Sequence, residues 1–137
     1  MVNVSATHSL RIDREDDIVA VRRRVRDVVE LRKFDSFAAA AIITAASELA
    51  RNTLVHGGNG TATIDEIFDG SRAGVRILFE DSGPGIPDIP RVLAGGYTTK
   101  RSMGLGLAGS RRLVDEFELL STVGHGTKVT VTKWKRL

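Results

Sequence analysis

The sequence predicts an α+β fold, a two-layer sandwich in which helices cover one face of a mixed, mostly antiparallel sheet. Three observations point there. The apolar pattern runs strand, two helices, strands, glycine-rich loop, helix, hairpin, with its period changing from 2 to 3.6 and back. The two helical patterns are consecutive and early, so they can lie together on one side of the sheet. No internal repeat, low-complexity tract or linker interrupts the 137 residues, a length that suits one domain spanning 1–137.

Each element has a local reason. His8, Leu10 and Ile12 alternate with polar neighbours, as in a short half-buried strand. Asp13 is positioned to cap a helix whose first turn carries Glu15, Asp16 and Asp17, and Ile18, Val21, Val25, Val28 and Leu31 follow at helical spacing to an end near Lys33. Asp35 or Ser36 caps the next helix, expected over Phe37 to Val55, with Ala41, Ala45 and Leu49 every four residues. Gly57 and Gly58 stop it, and Asn59-Gly60 turns the chain. Thr61 to Asp69 and Gly74 to Glu80 read as strands joined by a turn containing glycine and serine, with Val75, Ile77 and Phe79 on one side. From Asp81 to Gly106 comes a long loop holding all three prolines. Loops of that length in so small a domain are usually functional or mobile. Leu107 to Glu116 reads as a short helix with Leu107, Val114 and Phe117 inward, and Phe117 to Thr122 with Lys128 to Trp134 as an antiparallel pair turning at Gly124-His125-Gly126.

Composition narrows the class. A hydrophobic share of 42% without an apolar run of the roughly 18 residues that span a bilayer excludes a membrane helix. The first ten residues contain no apolar signal-peptide core. Cysteine is absent, which excludes disulfides and thiolate metal sites and fits the reducing cytoplasm. The +3 formal charge and pI near 9.7 raise nucleic acid as a partner, but the densest basic run, Arg22 to Arg26, sits inside an amphipathic helix pattern and lacks interleaved aromatics. A solvated helix face explains it better, with an acidic protein partner next.

The chemistry-bearing signals are four, in one order. Glu48 and Asn52, at i and i+4, share a helix face. Asp81-Ser82-Gly83-Pro84-Gly85 places a carboxylate directly after an apolar strand, where it can accept a proton from the amino group of a base, with bare backbone able to approach a flat ring. Gly104-Leu105-Gly106-Leu107 opens a helix, whose free N–H groups and dipole suit phosphate; Lys100 and Arg101 stand just before it to neutralise charge. Gly124-His125-Gly126-Thr127 comes last. Together they read as an ATP site. Singly each has a plainer reading: Glu and Asn as exposed helix polar residues, Ser-Gly-Pro-Gly as turn chemistry, a threonine in a strand as ordinary. Arg51 can pair with Glu48 or sit in solvent; His8 and His125 are expected to be non-catalytic, and His56 lies near enough to shape the site.

These boxes resemble the N, G1 and G2 boxes of the GHKL ATPases and kinases, which share the Bergerat ATP-binding fold. The stretches Glu80 to Asp88, Gly96 to Thr99 and Arg112 to Phe117, then Gly126 through Lys133-Trp134, are similar to the serine/threonine switch kinases of bacterial stress-signalling complexes, the RsbT type. The resemblance covers most of the chain from Glu48 onward. It implies Asn52 as a ligand of Mg2+, Glu48 as the residue that orients or deprotonates an attacking hydroxyl, and Thr127 as a hydroxyl near adenine beside Asp81. Within the boxes Gly83, Gly85, Ile86, Leu105 and Leu107 would line the ATP site. Arg101-Ser102-Met103 stands where such kinases carry more glycine, which implies a less mobile lid or different phosphate contacts there, and the loop before the second box would close over the phosphates. The implied activity is transfer of the ATP γ-phosphate to a STAS-domain partner, a scaffold or antagonist in partner switching. An anti-sigma-factor kinase shares every box. A third reading is an ATP-gated binding module that activates a PP2C-type phosphatase.

Overall fold

A computed structural model describes residues 1–94 and 106–136. Five strands form one sheet in the order β1-β2-β3-β5-β4: β1 (Val2–Ile12), β2 (Gly60–Asp69), β3 (Arg72–Asp81), β4 (Glu116–Thr122) and β5 (Gly126–Trp134). Every neighbouring pair is antiparallel, so the expected mixed character gives way to a uniform sheet. The first strand starts ten residues before Ile12, earlier than its alternation promises, because its N-terminal half pairs along β2 up to Asp69 while both faces stay exposed.

Two long helices lie on one face: α1 (Glu15–Leu31) and α2 (Ser36–Gly57). Ile18, Val21, Val25 and Val28 of α1 are buried against Ile42, Leu49 and the inner sheet residues Ile64, Val75, Ile77 and Phe79. The start of α1 differs from expectation. Arg14, extended, is the N-cap, and the capping carboxylate is Asp17, which reaches back to accept from the backbone N–H groups of Asp13 (2.8 Å) and Arg14 (3.0 Å). Those bonds hold Asp17 below the usual carboxylate range, the bond from Asp13 being the strongest influence.

Asp35 caps α2 as expected, accepting from the N–H of Ala38 at 3.0 Å, and also accepts from the N–H of Arg136 at 3.0 Å, tying the helix start to the end of the chain. The buried stripe of α2 is Ala38, Ile42, Ala45, Leu49 and Thr53; Ala41 lies beside it, only partly covered. Its alanines let α2 sit close to α1 and the sheet, and Gly58, at φ +86°, ends it.

Two short helices complete the layer: α3 (Ile89–Leu93) and α4 (Gly106–Leu113). The first falls where the sequence reads as loop. Asp88 caps it by accepting from the N–H of Arg91 at 3.1 Å, and Pro90 occupies its first turn. The second ends before Glu116, which belongs to β4. Among the described residues no helix is long and apolar enough to cross a membrane.

Candidate nucleotide site

A cavity of about 290 Å³ opens between α2, the inner ends of β3 and β5, the loop after β3, and the start of α4. Its apolar wall is Leu49, Phe79, Leu107 and Val129, and its polar groups include Asn52, Thr53, His56, Asp81 and Thr127. Such a mixture of flat apolar walls and a few convergent polar groups suits a base and sugar.

Asp81 is the last residue of β3, cross-strand from Thr127 on β5. Burial dominates its electrostatics and raises its carboxyl above the usual range. Opposing this are hydrogen bonds from the N–H groups of Gly83, at 2.9 Å, and Thr127, and the charge of His56. Among the described residues no cation forms a salt bridge with it, which leaves acceptor capacity facing the cavity.

Glycine is needed where the backbones converge on this carboxylate. A Cβ at Gly57 would overlap the carboxyl carbon of Asp81, and one at Gly83 would lie 2.8 Å from the Cα of Gly57, so the C-terminus of α2 touches the loop after β3. Gly85 adopts φ +80°, with a Cβ there only 2.5 Å from the carbonyl oxygen of Thr122. The loop is stitched to the β4–β5 hairpin by Gly124 N–H to Pro84 C=O (2.8 Å) and Ile86 N–H to Ser121 Oγ (2.9 Å).

Asn52, Asp81, Gly85, Ile86, Gly106, Leu107 and Thr127 therefore line one cavity, and Gly83 supports Asp81 from behind. Glu48 does not line it. It is half-buried one turn before Asn52 on the same helix. Lys100, Arg101, Gly104 and Leu105 lie outside the described residues, as do Gly96 to Thr99. Arg51 does not pair with Glu48: its guanidinium reaches Glu15 of α1 at 3.5 Å, because α1 packs beside that face of α2. His8 does not line the cavity and pairs with Glu66 at 2.8 Å.

Gly57 and Ser121 were invisible as site residues in the sequence. Gly57 carries the ordinary signal of a helix end and Ser121 that of an alternating strand; Gly57 meets Asp81, 24 positions on, and Ser121 ties Ile86, 35 positions back, to Gly126 and Thr127 across the hairpin. The signal for Gly106 was its place at a helix start, and it both opens α4 and lines the cavity. No group of three or more His, Cys, Asp or Glu side chains suited to a metal exists among the described residues. Mg2+ takes oxygen donors, commonly phosphate oxygens and waters beside few protein groups, and the carboxamide of Asn52 is an oxygen donor that lines the cavity.

This layered fold, with a base-sized cavity between helix, strand ends and glycine-rich loops, defines an ATPase domain. The family model described as histidine kinase-, DNA gyrase B-, and HSP90-like ATPase matches residues 38–136, and the chain belongs to that family. Within it, the chain is 44% identical over 127 residues to the serine/threonine-protein kinase RsbT of Bacillus subtilis (strain 168), covering 93% of this chain and 96% of that one. It is 34% identical over 101 residues to the anti-sigma F factor of Thermoanaerobacter sp. (strain X514), covering 69% of each. A solved structure, the RsbU and RsbW domains of Rv1364c from Mycobacterium tuberculosis, superposes with a TM-score of 0.68 at 22% identity, over 97% of this chain. The chain spans about a third (34%) of that structure's length, and the likeness is one of fold.

Proposed function

We propose that this protein is a serine/threonine protein kinase that transfers the ATP γ-phosphate to a STAS-domain partner and regulates stress signalling by partner switching. The observation that carries the reading is the meeting of Asn52, Asp81, Thr127 and the N-terminus of α4 around one cavity. The chain is similar to a named serine/threonine kinase along nearly the whole length of both proteins, which supports the reaction class. The shorter and weaker likeness to an anti-sigma factor makes a sigma-directed role the lesser alternative.

In this reading Asp81 accepts the adenine amino proton, and Leu49, Phe79 and Val129 cover the ring faces. Asn52 would hold Mg2+, whose role is to neutralise phosphate charge and align the γ-phosphoryl group. The N–H groups at Gly106 hold phosphate oxygens. Glu48 takes the proton of the partner's serine or threonine hydroxyl as its oxygen bonds to γ-phosphorus, the bond to the β–γ bridging oxygen breaks, and ADP leaves. Glu48 sits outside the cavity wall, where a hydroxyl arriving from a separate protein would meet it. The absence of cysteine suits work in the cytoplasm.

The position of Glu48 also favours a second reading, in which bound ATP holds a conformation that docks on and activates a PP2C-type phosphatase. Incubation with γ-labelled ATP, magnesium and a candidate STAS-domain protein separates them. Label should pass to the partner, and Glu48→Ala should lower the transfer by about 100-fold or more while leaving nucleotide affinity within about threefold. Undiminished transfer by that variant would remove Glu48 from the chemistry. Nucleotide binding with no transfer to any partner would favour the docking module.

A further inference from the structure

Ser121 on β4 lies opposite Thr127 in the ladder, and its hydroxyl is saturated. It accepts from the N–H of Ile86 at 2.9 Å, lies 3.0 Å from the carbonyl oxygen of Gly126, and lies 2.9 Å from Thr127 Oγ1. A serine hydroxyl has one proton and two lone pairs. A carbonyl cannot donate, so the serine proton goes to Gly126; Ile86 takes one lone pair, and the other must accept the proton of Thr127. This assignment is the one that satisfies all three contacts. The reverse polarity between Ser121 and Thr127 would set two acceptors, Ser121 Oγ and Gly126 C=O, against each other.

The consequence falls on Thr127. Its single hydroxyl proton is used, and its lone pairs remain, next to the carboxylate of its cross-strand partner Asp81. We propose that Ser121 is a specificity-determining positioning residue: by holding the Thr127 hydroxyl as an acceptor beside Asp81, it makes this wall of the cavity acceptor-only. Such a wall matches the two hydrogens of a 6-amino group, one for Asp81 and one for Thr127, whereas a 6-oxo purine offers a single N1–H beside an oxygen that can only accept. A 6-oxo purine that gave its N1–H to Asp81 would bring the adjacent oxygen against a hydroxyl that has no proton to offer. The unmet polar contact, rather than any steric clash, is the source of discrimination. The inference rests on the nucleotide reading above and goes beyond it by assigning the base preference to a residue that touches no ligand.

Calorimetric titration with ADP and with IDP, each with magnesium, tests it. The unaltered protein should bind ADP at least about tenfold more tightly than IDP. Ser121→Ala frees the Thr127 proton to turn toward a 6-oxo oxygen, and the preference should shrink to about threefold or less; Ser121→Thr, which keeps the hydroxyl, should restore it. Should Ser121→Ala fail to fold, Ser121→Cys gives the same readout, since it keeps a side chain there but hydrogen-bonds only weakly. An ADP:IDP ratio that stays the same while both affinities move together would make Ser121 a mere rivet between loop and hairpin and overturn the proposal. Binding of neither nucleotide by the unaltered protein would instead overturn the nucleotide reading and carry this inference down with it.

Discussion

Two carboxylates on the β2–β3 hairpin are set toward the helix layer, and their surroundings give them opposite characters. Glu66, 4% exposed, sits toward the turn end. It accepts from Arg32 through Nη2 at 2.8 Å and Nε at 3.0 Å, and from His8 at 2.8 Å, while the Arg32 guanidinium lies 4.9 Å from the ring centre of Phe68. Asp81, at the open end, meets backbone N–H groups and the more distant charge of His56. Burial is the largest influence on both and pushes both upward. At Glu66 the hydrogen bonds of His8 and Arg32 outweigh it and hold the carboxyl below its usual range; at Asp81 the opposing contacts fall short and it stays raised. A carboxylate supplied with its own cations is closed, part of the frame. One that is buried, raised and turned into a cavity has acceptor strength left for a ligand.

Removing each in turn should separate the roles. Asp81→Asn should weaken nucleotide binding about 100-fold, because the amide that replaces one acceptor oxygen presents donors to the adenine amino group. Its melting temperature should stay level or rise, since a desolvated charge is removed. Unchanged affinity would take Asp81 out of the site. Glu66→Gln should do the reverse, lowering stability by about 2 kcal/mol with nucleotide affinity per folded molecule unchanged. That figure is set below the usual cost of breaking a buried pair because the Arg32 side chain is 31% exposed and keeps water when its partner goes. A melting temperature within a degree of the parent would show that the cluster contributes nothing to the frame.

The comparison also explains what could be read from the chain and what could not. Helix α2 was legible because its signals are local: a capping aspartate at 35, buried small residues at helical spacing, glycines at the end. The β2–β3 turn at Gly70-Ser71 was legible for the same reason, with Gly70 at φ +62°. Asp81 stood out because an acid directly after an apolar strand and before Ser-Gly-Pro-Gly, plain turn chemistry when taken alone, is followed downstream by the other boxes. Glu66 offered no such mark; one glutamate in an alternating strand is ordinary, and its two cations come from positions 8 and 32. The partner of Arg51, left open between Glu48 and solvent, stayed hidden for a related reason. Helical spacing offered Glu48, whereas the packing of α1 beside α2 brought Glu15 to it. Short α3 was hidden by the prolines around it, although Asp88 and Pro90 are start signals in themselves. Most of what needed only neighbours in sequence was visible, α3 and the Asp17 cap of α1 apart, and the contacts of Glu66 and Arg51, which need a second element, were not.

Acid sharpens the contrast because the two groups respond with opposite sign. For Asp81 the folded-state value lies above the unfolded one, so the folded protein binds the extra proton, and lowering the pH through that window favours the fold while it neutralises the acceptor. For Glu66 the folded-state value is depressed, so its contribution is complete above the ordinary glutamate range and is lost only as pH falls through the lower folded value. Nucleotide affinity should therefore fail first on acidification, by up to about tenfold per pH unit below the raised value of Asp81, while circular dichroism still reports a folded chain. ADP binding and thermal melting measured across the same acid series would show the two transitions apart. Coincident loss of binding and fold would mean that the charge of Asp81 plays no separate part in holding the base, and the division between frame and site drawn from these two carboxylates would fall with it.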